Sequence, residues 1–268
     1  QRSDQFLRFR AYLRGLLGSG ERKNIEGLAQ AAAAAMTVES NLVQSLQHFI
    51  SSSPWDSNRL LARVRAETQP WRRDKHSVWV VHDGAFAKKG TQSVGVQRQF
   101  ARSEGRKLNC QIAVAISQVG PGGYFPLAAR LYLPAHWLRD KEDVAEKTVP
   151  EEFRRNASKS DIALELLDEL VATEAVRPVL AESGYAGLEA FVDGLNQRHL
   201  SFQIEPSRAI DEAVLGFDAL KNALGLDHFE GRTWQGWHHH VAMVFTAHYF
   251  LAQNGLAPRA SLETSVPQ

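Results

Sequence analysis

The sequence predicts a mixed α/β fold, an N-terminal helical region followed by a mixed β-sheet flanked by helices. Three observations carry this. Residues 1–70 place apolar side chains at helical spacing, and after Trp71 the texture changes to short β-branched and alternating runs. From Asp161 onward, helical and strand patterns alternate. The 268 residues are 44% hydrophobic and 23% charged, with 6 Trp and 13 Phe. That composition excludes a disordered tail, a collagen-like fibre and a disulfide scaffold, and the length allows a sizeable core.

Each element has its own signal along the chain. Phe6, Phe9, Leu13, Leu16 and Leu17 form a first helical stripe, stopped at Gly18-Ser19-Gly20. Ile25 to Met36 is rich in Ala and Leu, a good helix former throughout. Leu42, Leu46, Phe49 and Ile50 give a third stripe. Ser53-Pro54-Trp55-Asp56 reads as a helix start with Pro in the first turn, ahead of Leu60, Leu61 and Val64. Val78–Val81 is a buried-type strand ending at His82-Asp83-Gly84, Ser93–Phe100 alternates, and Cys110–Ile116 is continuously apolar. Gly120-Pro121-Gly122-Gly123 is hairpin punctuation before the alternating run Leu127–Leu133. Asp161–Val171, Leu188–Gln197, Ala209–Leu224 and Trp234–Gln253 read as helices, with a short strand at Pro178–Ala181 and Asn254-Gly255 as the final stop. The expected organisation is a helical region at 1–70, an α/β core at 71–257 and a polar tail at 258–268.

Three places carry candidate chemistry. His82-Asp83 closes a buried strand, where a sheet holds reactive groups rigidly beside an accessible loop; the competing reading is a turn cap at Gly84. Glu182 closes the strand at Val179-Leu180-Ala181; the alternative is a solvated carboxylate at a helix start. Carboxylates at neighbouring strand ends are what a two-metal phosphoryl-transfer site requires. The third place is the segment Leu220–His240, with its Trp237-His238-His239-His240. Three adjacent histidines on a helix point about 100° apart, so they cannot share one metal, and a hydrogen-bonding helix start is the expected role. Cys110 lies in an apolar run and reads as a core residue.

In these segments the chain resembles bacterial insertion-sequence transposases of the DDE type. The resemblance is carried by Ser77–Gly90, Val179–Tyr185 and Leu220–His240, together with Arg22-Lys23-Asn24 and Ser53-Pro54-Trp55-Asp56, in the same order over almost the whole chain. It implies an RNase H-like core preceded by helices, a Mg²⁺-dependent site of three carboxylates, and DNA as partner.

Departures from the family pattern fall on the site itself. Where the family reads Asp-Asp-Thr-Gly-Phe-Pro-Lys-Lys-Gly, this chain has His82-Asp83-Gly84-Ala85-Phe86-Ala87-Lys88-Lys89-Gly90, so one acidic residue of the pair is His82, and Asp83 is the surviving carboxylate if the second position is the metal-binding one. The second carboxylate, usually Asp, is Glu182, and the position matching the third, counted back from Lys221, is Val214. The family's β-rich insertion is reduced to the stretch Ser183–Ala213, either lost in nature or omitted from this chain. A pair of Mg²⁺ ions about 3.5–4 Å apart needs several anionic oxygens, which Val cannot supply and His seldom supplies to Mg²⁺. The sequence therefore predicts a degenerate site without a working cofactor, its metal unknown.

Two functions are expected from that. One is DNA binding without strand transfer, through Arg22, Lys23, Lys88, Lys89, Lys221 and Arg232, with Arg8, Arg10, Arg14, Arg98 and Arg102 as further basic positions. The 31 Lys+Arg against 30 Asp+Glu confine such binding to a local patch. The other is a metal-independent acid–base enzyme for a small molecule, using His82, Asp83, Glu182 and His238. A lone cysteine fits a reducing cytoplasm, no apolar run of about 18 residues suggests a membrane span, and the start at Gln1 reads as truncated or processed rather than secretory.

Overall fold

Ten α-helices and six strands make up the described part of the chain. The computed structural model describes residues 2–37, 40–185, 188–204 and 206–258; most of the expected polar tail lies outside them. The opening helices are α1 (Arg2–Leu17), α2 (Ile25–Ala35), α3 (Leu42–Ser51) and α4 (Ser57–Thr68). Asn24 caps α2, its Oδ1 accepting from the Gly27 N–H at 3.1 Å. At α4 the expected start needs correction. Asp56 is the cap, accepting from the Asn58 and Arg59 N–H groups, and Pro54 lies two residues ahead of it.

The six-stranded sheet consists of β1 (Val78–Ala87), β2 (Gln97–Ala101), β3 (Arg106–Gly120), β4 (Gly123–Leu131), β5 (Val179–Ala181) and β6 (Phe202–Gln203). Its order is β2-β3-β1-β5-β6, with β4 also paired to β3. Strands β1, β3 and β4 are antiparallel neighbours, whereas β5 runs parallel to β1 with Trp79 opposite Val179 and Val81 opposite Ala181. β2 and β4 occupy successive stretches of the same edge of β3, Arg106–Cys110 and Ala113–Gly120. This is the mixed, RNase H-like sheet that the resemblance implies.

Strand β1 is longer than its apolar run suggests. It continues through His82-Asp83-Gly84 to Ala87, so His82 and Asp83 lie inside a strand and not at its end. Their backbone groups face β3 along ten paired positions, and that ladder holds polar residues in a strand that is buried almost throughout.

Helices cover both faces of the sheet. α7 (Lys159–Val171) and α8 (Glu189–Gln197) pack on one side against Trp79, Val81 and Val179. α9 (Arg208–Leu224) and α10 (Trp234–Gln253) pack on the other, with Phe86, Phe217, Trp237 and Val241 in one core together with the N-terminal helices. Gly225 ends α9 in a left-handed conformation (φ 66°), where glycine carries no steric penalty. Two short helices, α5 (Ala135–Asp140) and α6 (Glu142–Thr148), are not legible in the sequence, because six or seven residues barely complete two turns of periodicity.

Two of the three adjacent histidines of α10 join separate elements. His239 lies 2.9 Å from the Ile50 carbonyl and 2.7 Å from the Trp55 carbonyl, and its ring stacks on Trp55. His240 Nε2 donates to the Gly225 carbonyl (2.9 Å), so its Nδ1 is left to accept from Tyr12 Oη at 2.7 Å. His238 stays within its own helix, bonded to the Trp234 carbonyl.

Gly84 marks the closest approach of β1 to α9. A Cβ there would sit 2.4 Å from the Phe217 ring. Gly84→Ala should destabilise the protein by about 1–3 kcal/mol through overpacking. Adding Phe217→Leu should recover part of that loss, and urea denaturation of the two single variants and the double variant checks the coupling.

Candidate functional site

The pleat of β1 sends successive side chains to opposite faces of the sheet. Val80, His82, Gly84 and Phe86 face α9 and α10, whereas Trp79, Val81 and Asp83 face α7. His82 is fully buried. Its Nε2 is hydrogen-bonded to Ser117 Oγ at 3.0 Å, Ser117 donates on to Tyr124 Oη, and the imidazole meets Phe217 edge-on at 5.2 Å. Burial pushes its pKa down to about 4, against the upward pull of Asp83, so the ring is neutral at pH 7.

Asp83 points the other way. Its carboxylate accepts from Tyr185 Oη at 2.9 Å and pairs with Lys159 at the start of α7. Neither partner is apparent from the sequence. The available signal is Ser158 with Asp161, a capping box that fixes the first turn of α7 and with it Lys159.

Glu182 is engaged by the main chain. β5 ends at Ala181 while β1 runs on, so the Asp83 N–H on that side has no strand partner, and Glu182 Oε2 accepts it at 2.8 Å. Burial raises the Glu182 carboxyl, opposed by that hydrogen bond and by the charges of Arg102 and Lys159. Val214, on α9, offers no donor atom. Asp211 on the same helix is exposed, and Glu212 is bonded to Arg208. Among the described residues no group of three His, Cys, Asp or Glu side chains stands at metal-binding spacing. The matching positions offer two carboxylates, Asp83 and Glu182, against the three that the resemblance implies, while His82 faces the other side of the sheet and Val214 has no donor atom.

Of the four expected acid–base residues only Asp83 and Glu182 adjoin, joined through the Asp83 N–H. His82 and Asp83 occupy opposite faces of the sheet. His238 lies in a third place, over Trp234 and edge-on to Trp237, beside a cavity of about 380 Å³ shared with Trp55 and Arg130. Burial lowers its pKa to about 3.

The expected DNA-binding residues divide differently. Arg22, Lys88, Lys89 and Arg232, far apart in sequence, line one cavity of about 420 Å³ together with Asp227, His228 and Glu230. Lys88 Nζ donates to the Phe229 carbonyl at 2.7 Å. Two of the expected residues turn inward. Lys23 is buried and bonded to the Gly18 carbonyl, and Lys221 pairs with Asp218 above the rings of Phe86 and Phe217. Both ammonium groups are engaged by acceptors close in sequence, a carbonyl for Lys23 and a half-exposed carboxylate for Lys221. Arg8, Arg10 and Arg14 lie on α1, Arg98 lies on β2, and Arg102 donates to Ser183.

A family model described as DDE superfamily endonuclease matches residues 1–208. The chain belongs to this family. A probable transposase for insertion sequence element IS701 from Microchaete diplosiphon is 28% identical to it over 96 residues, which cover 36% of this chain and 25% of that relative. The match thus spans a quarter of the relative's length. No solved structure matches the chain. No helix among the described residues is long and apolar enough to cross a membrane.

The buried histidines make acid stability a direct readout of this geometry. For His82 the folded pKa of about 4 lies below the unfolded value near 6.5, so the unfolded state binds the proton first. Its contribution is present above about pH 6.5 and is lost as pH falls toward 4, with a slope of at most about 1.4 kcal/mol per pH unit. His82→Asn should therefore shrink the difference in unfolding free energy between pH 7 and pH 5, measured by urea titration. An unchanged difference would place His82 in a solvated environment.

Proposed function

We propose that this member of the DDE superfamily binds DNA through the cavity lined by Arg22, Lys88, Lys89 and Arg232 and does not carry out metal-dependent strand transfer. One observation carries the binding half. Three segments that bear the family resemblance, Arg22-Lys23-Asn24, Lys88-Lys89-Gly90 and Asp227–Arg232, meet around that one cavity. Near-neutral overall charge makes such a local concentration of cations the feature that attracts phosphates.

The second half is supported by the donor set at the three carboxylate positions. Of the pair at the first position His82 is bonded to Ser117 on the far face of the sheet and Asp83 is paired with Lys159, one oxygen of Glu182 accepts the Asp83 N–H, and Val214 has nothing to offer a cation. Strand transfer needs the attacking and leaving oxygens clamped by metal, and this chain's own groups put no substitute there. Asp83 is already balanced by Lys159.

Fluorescence anisotropy with a short duplex at several salt concentrations tests the reading. Phosphate contacts act through counterion release, so log affinity should fall linearly with log salt, with about one unit of slope for each phosphate charge neutralised. Lys89→Ala and Arg232→Ala, both exposed side chains, should each make the slope about one unit shallower. With Mg²⁺ or Mn²⁺ added, the duplex should stay uncut. Metal-dependent nicking that Asp83→Ala abolishes would overturn the second half, and absence of binding at low salt would overturn the first.

A further inference from the structure

We propose that the same cavity is a phosphomonoester site, taking the terminal phosphate of a DNA end or of a free nucleotide in preference to the phosphodiesters of a continuous strand. The DNA-end form of this inference rests on the reading above; the nucleotide form does not.

The balance of charge favours a monoester. Arg22, Lys88, Lys89 and Arg232 face Asp227 and Glu230 across the cavity, which leaves two net positive charges. A phosphomonoester carries about 1.5 to 2 negative charges near pH 7 and three terminal oxygens, whereas a diester carries one charge and two free oxygens. The site matches the former.

Donors are available to hold it. Lys89 and Arg232 are exposed and take part in no ion pair among the described residues. Arg22 pairs with Glu230 at 3.4 Å with side-chain exposures of 78% and 65%, a solvated contact that opens at little cost. Lys88 keeps two of its three N–H groups after bonding the Phe229 carbonyl. His228 adds a neutral donor. The Lys23 N–H donates to its Nδ1 at 3.0 Å, so the proton sits on Nε2, on the side of Asp227.

Shape and sign agree with a chain end. The cavity has room for one nucleotide-sized group, about 420 Å³, and the carboxylates of Asp227 and Glu230 are part of its lining. Those carboxylates repel a second phosphate and accept from a sugar hydroxyl or a base amino group. A chain terminus meets both conditions.

The test compares one duplex carrying 5′-phosphates with the same duplex carrying 5′-hydroxyls, by anisotropy in the full chain. In parallel, thermal shift compares deoxyadenosine 5′-monophosphate with deoxyadenosine. The phosphorylated duplex should bind about tenfold tighter, and Arg232→Ala and Lys89→Ala should each erase that preference while the hydroxyl duplex still binds. The monophosphate should raise Tm where the nucleoside does not, and Arg232→Ala should remove the shift. If neither duplex binds but the monophosphate shift survives and depends on Arg232, the DNA reading fails and the phosphomonoester site stands as a nucleotide site. Equal affinity for the two duplexes together with no monophosphate shift overturns the inference, as does a preference that both variants leave intact.

Discussion

The two-residue pleat of β1 is the constraint on which the rest of the structure depends. This strand is paired on both edges and covered on both faces, so its register fixes which helix each side chain meets. It puts His82 against Phe217 and Asp83 against Lys159 and Tyr185. Adjacent in sequence, the two lie in different chemical compartments. The imidazole is held neutral in an apolar layer, and the carboxylate is balanced by an ammonium group on the other side.

Each changed position of the carboxylate site then has a local occupation. An imidazole tolerates burial where an unpaired carboxylate would not, because its neutral form costs far less to desolvate. Glutamate reaches a main-chain N–H left over where β5 stops short of β1. Val214 is half-buried on α9, between the buried Ala213 and Phe217. The same strand ends at Ala87, and the next residues, Lys88 and Lys89, open onto the basic cavity. The basic cavity and the positions of the carboxylate site are therefore set apart along one strand.

Much of this is legible in the sequence. The β-branched run at Val78–Val81 and the helix pattern of Trp234–Gln253 have lengths and periods that leave little choice, and the parallel placement of β5 beside β1 accords with the family resemblance. The site is less legible. A strand end is expected at His82 because polar residues usually terminate apolar runs, but the ladder to β3 and the partners Ser117, Lys159 and Tyr185 satisfy those groups inside the strand. Such partners are 35 to 102 residues away in sequence, and no local pattern encodes them. Lys23 and Lys221 read as surface cations for a different reason: their partners, the Gly18 carbonyl and Asp218, are only five and three residues away, but a charged residue carries no mark of whether its side chain turns to such a neighbour or to a ligand. Arg22 and Arg232 lie 210 positions apart, so their meeting across one cavity cannot be read from spacing.

The proposal that strand transfer is absent requires that Asp83, Glu182 and Val214 form no cation site. Paramagnetic broadening by Mn²⁺ in an amide-resolved NMR spectrum measures this at the residues themselves. The amides of Asp83, Glu182 and Val214 should keep their intensity as Mn²⁺ is added up to equivalence with the protein, broadening no more than amides at exposed acidic positions such as Asp211. Selective loss of those three signals at substoichiometric Mn²⁺ would show a working metal site and contradict the account.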